Sequence, residues 1–297
     1  MALPSFAYEA PSTVEEAVAL LARHGDRAKI LAGGQSLVPM MTLGLLQPEV
    51  VIDINGIALD GIHRRDGHLD LGALVRHRVL EESSEIADAC PLLADAAALI
   101  GNVRIRTLGT LGGSLSHADP AAELPMTALA LDAELTIQGQ GGARKVPVGD
   151  FFLDIFQTAL APDEILTSVS VPVRQASEGW AVQEFARRSG DFAIVAVGVR
   201  LAIDGDGRIA MTRVCLAGVG PRPLRLRAVE DSLIGQWPDP DVLARAAERV
   251  ASEITPASDV HASAAYRSHL AVVLSRRALT LAARRAQGEH PHAPRNH

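Results

Sequence analysis

The stretch "KILAGGQSLVPMM", residues 29–41, decides how the N-terminal part of this chain is read. A short apolar run, "KILA", ends in two adjacent glycines, Gly33 and Gly34. A polar pair, Gln35 and Ser36, follows before a second apolar run begins. Two glycines in succession lose much conformational freedom on ordering, so their placement needs a reason. The segment before them, "STVEEAVALLARHG" (12–25), reads as an amphipathic helix. Ser12 or Thr13 is available as its N-cap, acids occupy the first turn and Gly25 closes it. Then "AKILAG" reads as a strand, "SLVPMMTLGLL" as a short helix or turn limited by Pro39, and "EVVIDIN" as a further strand. Together they make a βαβ-like unit of about 50 residues.

A second glycine pair stands at Gly112-Gly113, within "LGTLGGSLSHADPAAELP" (108–125). "LAGGQSL" and "TLGGSLS" share an apolar lead, Gly-Gly and a nearby small polar residue. Glycine allows positive φ and removes the Cβ that blocks close approach, and amides freed in this way bind anions. The hydroxyls of Ser36, Thr110, Ser114 and Ser116 add neutral donors, and neither loop contains Lys or Arg. Neither loop matches GxGxxG or GxxxxGK[ST], which excludes a Rossmann or P-loop reading. The pattern points to a pyrophosphate held between two glycine-rich turns. Next to the second pair, Asp119 precedes Pro120 and is a candidate cap for a short helix. Glu123 follows one turn later as a candidate acceptor for ribose hydroxyls, and His117 lies between loop and helix.

Between 59 and 178 short strands and helices alternate: "HLDLGAL", "AELTIQG" and "ILTSVSVPV" are strand-like, "RHRVLEE" and "PLLADAAALIG" helical, and "QGQGGARK" a hairpin turn. Residues 179–205 and 208–219 read as two long strands joined through "DGDG" (204–207). Helical patterns follow at 228–234, 239–253 and 262–286. Strands followed by helices imply an α+β module with its helices on one sheet face. The expected organisation is 1–58 and 59–176 as two α+β subdomains, 177–287 as a C-terminal α+β domain, and 288–297 as a disordered Pro/His-rich tail.

The 28 Lys and Arg against 35 Asp and Glu give a net charge of −7, which argues against nucleic acid as partner. Two cysteines, Cys90 and Cys215, exclude a disulfide framework and a four-cysteine cluster built within this chain. The sequence contains no signal-peptide pattern and no run of 18 apolar residues, so a cytoplasmic protein without a transmembrane segment is expected. No nucleophile–base pair suggests catalysis by this chain's own side chains; Ser, His and Asp within "SHAD" (116–119) are adjacent, which does not make a triad.

"LAGGQSLVPMM", "GTLGGSLSHADPAAELP", "DEILTSVSVP", "RRSGDFA" and "SDVHASAAYRSHL" together resemble the FAD-binding medium subunit of bacterial molybdenum hydroxylases. That family includes aerobic carbon monoxide dehydrogenase and its quinoline, nicotine, caffeine and xanthine relatives. The resemblance spans residues 3 to about 286. It implies a PCMH-type FAD-binding domain of two α+β subdomains, followed by a C-terminal antiparallel sheet with helices on one face. It also implies that FAD pyrophosphate is wrapped by Ala32, Gly33, Gly34, Gln35, Ser36 and Leu37 from one side, and by Thr110, Leu111, Gly112, Gly113 and Ser114 from the other. His117, Asp119 and Glu123 match positions near the ribityl chain, ribose and flavin edge. Leu166 matches an apolar contact, and Asp191 and Phe192 match a segment approaching the isoalloxazine.

The implied role is electron transfer: two [2Fe–2S] clusters on a small partner subunit feed FAD, a large partner carries the molybdenum cofactor, and the assembly is a heterotrimer or its dimer. Gln35 stands where carbon monoxide dehydrogenases usually carry His, which favours an organic substrate such as an N-heterocycle or aldehyde. A stand-alone FAD-dependent oxidase or dehydrogenase and an FAD-free scaffold subunit are the alternatives on the same fold.

Overall fold

A computed structural model describes residues 3–289. The expectation of a disordered tail at 288–297 falls almost wholly outside those residues. The N-terminal unit comprises β1 (Ala7–Glu9), α1 (Val14–His24), β2 (Ala28–Leu31), α2 (Leu37–Thr42) and β3 (Val50–Asp53). Its three strands are parallel in the order β1-β3-β2. Thr13 caps α1 by accepting from the Glu16 amide, and the Glu16 carboxylate reaches back to the Ser12 amide. Of the two candidate caps, Thr13 is the N-cap, while Ser12 donates through its amide and hydroxyl to the Glu16 carboxylate. Ala17, Val18 and Leu21 of α1 are buried with Val50, Ile52 and Ile54.

The middle part runs through β4 (Ile62–Arg65), β5 (His68–Gly72), α3 (His77–Glu82), α4 (Ser84–Ala89), α5 (Pro91–Leu99), α6 (Val103–Leu108), α7 (Leu111–His117) and α8 (Glu123–Ala130). It continues with β6 (Glu134–Gly139), β7 (Gly142–Pro147), β8 (Phe152–Asp154), β9 (Gln157–Thr158) and β10 (Ile165–Pro172). Five of these strands form an antiparallel sheet in the order β4-β5-β10-β6-β7, and β8-β9 is a separate two-stranded hairpin. Every residue of α8 is buried. This helix is enclosed on all sides, so its polar first residue, Glu123, is buried with it.

The C-terminal part holds β11 (Glu178–Phe185), β12 (Val195–Ile203), β13 (Ile209–Ala217) and β14 (Leu224–Arg225), an antiparallel sheet in sequence order. Helices α9 (Arg227–Leu233), α10 (Pro240–Glu248), α11 (Val250–Glu253) and α12 (Ala264–Ala286) complete it. The sheet is covered on one face by α12, and Gly198 on its other face lies against Met126 and Ala130 of α8.

Two segments differ from the sequence reading. The long strand expected over 179–205 is two strands, β11 and β12, joined by residues 186–194. Gly190 takes φ +83° there and sits where a Cβ would be 2.9 Å from the Gly101 carbonyl, so this connection leaves the sheet to pack on the middle part. The helix expected over 239–253 is broken at Arg249, whose carbonyl accepts from the Ser252 amide in a tighter turn. The break turns Glu253 towards α9, where its carboxylate accepts from the amides of Ala228 and Val229.

The parts are joined by buried and half-buried polar contacts. Arg200 pairs with Glu178 at 2.7 Å and donates to the Leu131 carbonyl. Asp95 on α5 accepts from the Trp180 indole at 2.9 Å and from Arg285 of α12. Among the described residues no helix is long and apolar enough to cross a membrane.

Helix α12 approaches β11 at Gly179, where an added Cβ would lie 1.8 Å from the Ala282 carbonyl oxygen and 2.5 Å from the Ala286 amide nitrogen. Backbone on both sides leaves nothing flexible to yield. Gly179→Ala is therefore expected to destabilise the fold by about 3 kcal/mol, read as a lowered urea midpoint. An unchanged midpoint would contradict this packing.

Candidate functional site

The fold brings the two glycine pairs into contact. A Cβ on Gly33 would lie 2.2 Å from the Leu108 carbonyl oxygen and 2.7 Å from the Gly109 Cα, so the first turn rests directly on the backbone leading into the second. From the other side, a Cβ on Gly113 would come within 3.9 Å of the Ala32 Cβ. Gly34 has φ +70°, the left-handed conformation that favours glycine.

A chain of polar side chains spans the junction. Asn55 donates through Nδ2 to the Ala32 carbonyl (2.8 Å) and to Asp53 Oδ1 (2.6 Å). Arg76 donates to Asn55 Oδ1 (2.7 Å) and to the Leu108 carbonyl, and Tyr8 donates its hydroxyl to Asp53 Oδ2. Burial alone raises the Asp53 carboxyl, but hydrogen bonds from Tyr8 and Asn55 and the Arg76 charge outweigh it, and its pKa is lowered. The two motifs are thus tied through carbonyls of both, Ala32 and Leu108, by residues that lie in neither.

The amides of the two turns are used differently. Among the described residues nothing accepts from the N–H groups of Gly33, Gly34, Gln35 and Ser36, while the Gln35 side chain donates to the Gly33 carbonyl at 2.9 Å and braces the turn. The Leu37 side chain is half-buried at the start of α2. In the second motif the amides are taken. Leu111 donates to the Val75 carbonyl, Gly112 to Ala73, Gly113 to the Thr110 hydroxyl and Ser114 to the Thr110 carbonyl. Only the first turn therefore leaves its amides free among the described residues; those of the second are bonded within the protein, against the expectation that both turns free them. Gly112 serves packing instead, with Ala73 Cβ 2.5 Å from where its own Cβ would stand. Thr110 is buried and caps α7, whereas the half-buried hydroxyls of Ser36 and Ser114 have no partner among the described residues.

His77 holds the second turn from behind. Its Nε2 lies 2.9 Å from the Thr110 carbonyl and its amide donates to Gly109. Burial lowers its pKa to about 4, so the ring is neutral and Nε2–H is the donor.

At the far end of α7 the His117 ring stacks on Phe156, with centroids 4.9 Å apart. Burial lowers the His117 pKa, partly offset by Asp119. Asp119 does not cap α8, whose N-cap is Ala122; its carboxylate accepts from the Ala121 amide in a turn that ends before the helix. Glu123 is buried, and burial raises its carboxyl to about 7. Glu184 on β11 is raised to about 8, first by burial and then by repulsion from Glu123, and its Oε2 is buried without a partner among the described residues.

The remaining anticipated contact residues differ in exposure. Leu166 is buried in the core beneath the middle sheet and presents no open face. Phe192 is 67% exposed beside Asp191 in the 186–194 connection. Asn55, Arg76, His77, Phe156 and Glu184 were not legible as site residues. Asp53-x-Asn55 carries the mark of an Asx turn, but the others are ordinary letters whose role comes only from tertiary placement.

Free amides at 33–36, set on a second glycine turn and flanked by half-buried hydroxyls, have the chemistry of an anion-binding nest. Residues 4–174 match the family described as the FAD binding domain in molybdopterin dehydrogenase, and residues 180–282 match the CO dehydrogenase flavoprotein C-terminal domain. The chain belongs to this family of FAD-binding oxidoreductase subunits. It is 39% identical to the 6-hydroxypseudooxynicotine dehydrogenase complex subunit alpha of Paenarthrobacter nicotinovorans, over 96% of each chain. To the nicotine 6-hydroxylase medium subunit of the same organism it is 38% identical, over 96% of this chain and all of that one. Among solved structures it matches a carbon monoxide dehydrogenase from Hydrogenophaga pseudoflava that lacks the Mo-pyranopterin moiety. The TM-score is 0.92 at 37% identity, over 95% of this chain and 98% of that one.

The buried carboxyls make stability pH-dependent with a definite sign. Glu184 titrates near 8 in the fold and near 4.3 when unfolded, so the fold favours its protonated form. That contribution is complete below the unfolded value and is lost as pH rises through 8. Glu184→Gln, which resembles the protonated acid, is expected to melt progressively higher than wild type as pH goes from 5 to 8.5. A melting difference independent of pH would refute the assignment.

Proposed function

We propose that this chain is the electron-transfer flavoprotein subunit of a molybdenum-dependent hydroxylase, and that it holds FAD at the junction of its two glycine turns. The observation that carries this reading is the row of unpartnered amides at Gly33–Ser36, pressed against the Leu108–Gly109 backbone. Residues present at the junction fit a pyrophosphate: the amide nest supplies dipolar donors, Ser36 and Ser114 supply hydroxyls, and no Cβ fills the cradle.

In this reading Ala32, Gly33, Gly34, Gln35, Ser36 and Leu37 bind the anion. Thr110, Leu111, Gly112, Gly113 and Ser114 form the wall that fixes their orientation. Tyr8, Asp53, Asn55 and Arg76 hold the two halves in register. His117, Asp119 and Glu123 meet the ribityl and ribose hydroxyls, with Asp191 and Phe192 at the exposed edge of the site. Leu166 supports the site from the core. The three larger sheets, of three, five and four strands, fall one to each segment and support the division at 58/59 and 176/177.

FAD, when bound, accepts electrons singly or in pairs and passes them on. The partners in this reading are a small subunit whose two [2Fe–2S] clusters would supply those electrons and a large subunit whose molybdenum cofactor would be their source. An external acceptor takes them from this chain. The two cysteines, both buried, support placing the clusters on another chain. An organic substrate, N-heterocyclic or aldehyde-like, is supported by Gln35 and by the nicotine-related names of the relatives at 38–39% identity. We place the complex in the cytoplasm, as a heterotrimer or its dimer.

Gly33→Ala, which drives a Cβ to 2.2 Å from the Leu108 oxygen, is expected to lower FAD retention at least tenfold. Gly113→Val, which drives one to 2.7 Å from the capping Thr110 hydroxyl, is expected to do the same. Both should leave far-ultraviolet dichroism unchanged. Wild-type flavin content in folded Gly33→Ala would overturn the pyrophosphate assignment.

A further inference from the structure

The β8–β9 hairpin turns through Ile155 and Phe156, and its tip is built against local preference. Turn positions that require positive φ are normally Gly or Asn, yet Phe156 holds one at φ +54°. A bulky aromatic in the left-handed region is an outlier, and such strain persists only where the surroundings enforce it. Both tip residues are apolar and half exposed, Ile155 at 50% and Phe156 at 53%, where a solvent-facing turn would carry polar letters. The surrounding structure does give the Phe156 ring a fixed direction. It stacks on His117 with centroids 4.9 Å apart and planes inclined by 30°. A single stack leaves the rest of a half-exposed ring open.

The position of this pair is informative. His117 ends α7, whose N-cap Thr110 stands against the junction of the two glycine turns. Seven helical residues span about 10 Å. The stacked pair therefore stands one short helix from the amide nest, within reach of a ring system tethered to a pyrophosphate held there. Burial also keeps His117 towards its neutral form, which suits face-to-face packing with an electron-poor heterocycle.

We propose that Phe156, backed by His117, is a stacking platform for one of the two planar heteroaromatic ring systems of bound FAD. This rests on the FAD assignment above and extends it to a residue outside both glycine motifs. The strained hairpin tip is then explained by what it presents: glycine would relax the turn but remove the platform.

The test is FAD titration of apoprotein from wild type, Phe156→Gly and Phe156→Trp. Phe156→Gly suits the left-handed φ, so its apoprotein is expected to melt at or above the wild-type temperature. Its FAD dissociation constant is expected to rise roughly ten- to hundredfold, the range for losing one aromatic stack. Phe156→Trp is expected to restore binding. FMN, which lacks the adenine half, identifies the ring. An equal loss with FMN assigns the isoalloxazine, and quenched flavin emission in Phe156→Trp accompanies it; FMN binding that ignores the substitution assigns adenine. Phe156→Gly that melts as expected and binds FAD as wild type does would overturn the platform while leaving the FAD reading intact. Wild-type apoprotein that takes up no FAD would overturn both.

Discussion

The approach of Gly33 to the Leu108–Gly109 backbone is the constraint on which the site depends. Two chain segments separated by some 75 residues meet where a methyl group would not fit. In the turn that makes this contact the amides of Gly33–Ser36 have no acceptor among the described residues, and unsatisfied backbone donors are unfavourable unless water or a ligand meets them. The Tyr8–Asp53–Asn55–Arg76 chain holds the approach from the side, bonding the Ala32 and Leu108 carbonyls through a shared set of side chains. Because the parallel N-terminal sheet supplies Asp53 and the loop after β5 supplies Arg76, the site exists only when both α+β units are folded and docked.

The two glycine pairs look alike in sequence and differ in physics. The first is a donor surface. The second is a support: Gly112 lets α7 lie on Ala73, and the Thr110 hydroxyl caps the helix that carries Gly113. Letters alone do not separate these roles, since both offer glycine beside a hydroxyl. What separates them is that segment 73–75 arrives to accept from the second pair's amides, which is a tertiary event.

Much else was legible because local physics and tertiary structure agree. The capped helix α1, the strands around Gly33 and the hairpin at 204–207 follow from caps, alternation and turn residues. The 186–194 connection was missed because apolar residues on both sides of "ARRSGD" continue the strand pattern. The chain leaves the sheet there because Gly190 can lie on Gly101, a contact with no local signal. Glu123 stood out in the sequence as a candidate acceptor, but its buried carboxyl with a raised pKa had no local signal. That state comes from the enclosure of α8, with the Asp119 charge adding to it.

The most direct test of the central claim is hydrogen exchange at single-residue resolution, with and without FAD. The account predicts that amides 33–36 exchange rapidly in apoprotein and become protected on adding FAD, while amides 111–114, already bonded within the protein, change little. Protection that appears at 111–114 while 33–36 stay fast would contradict the assignment of the first turn as the anion-binding half.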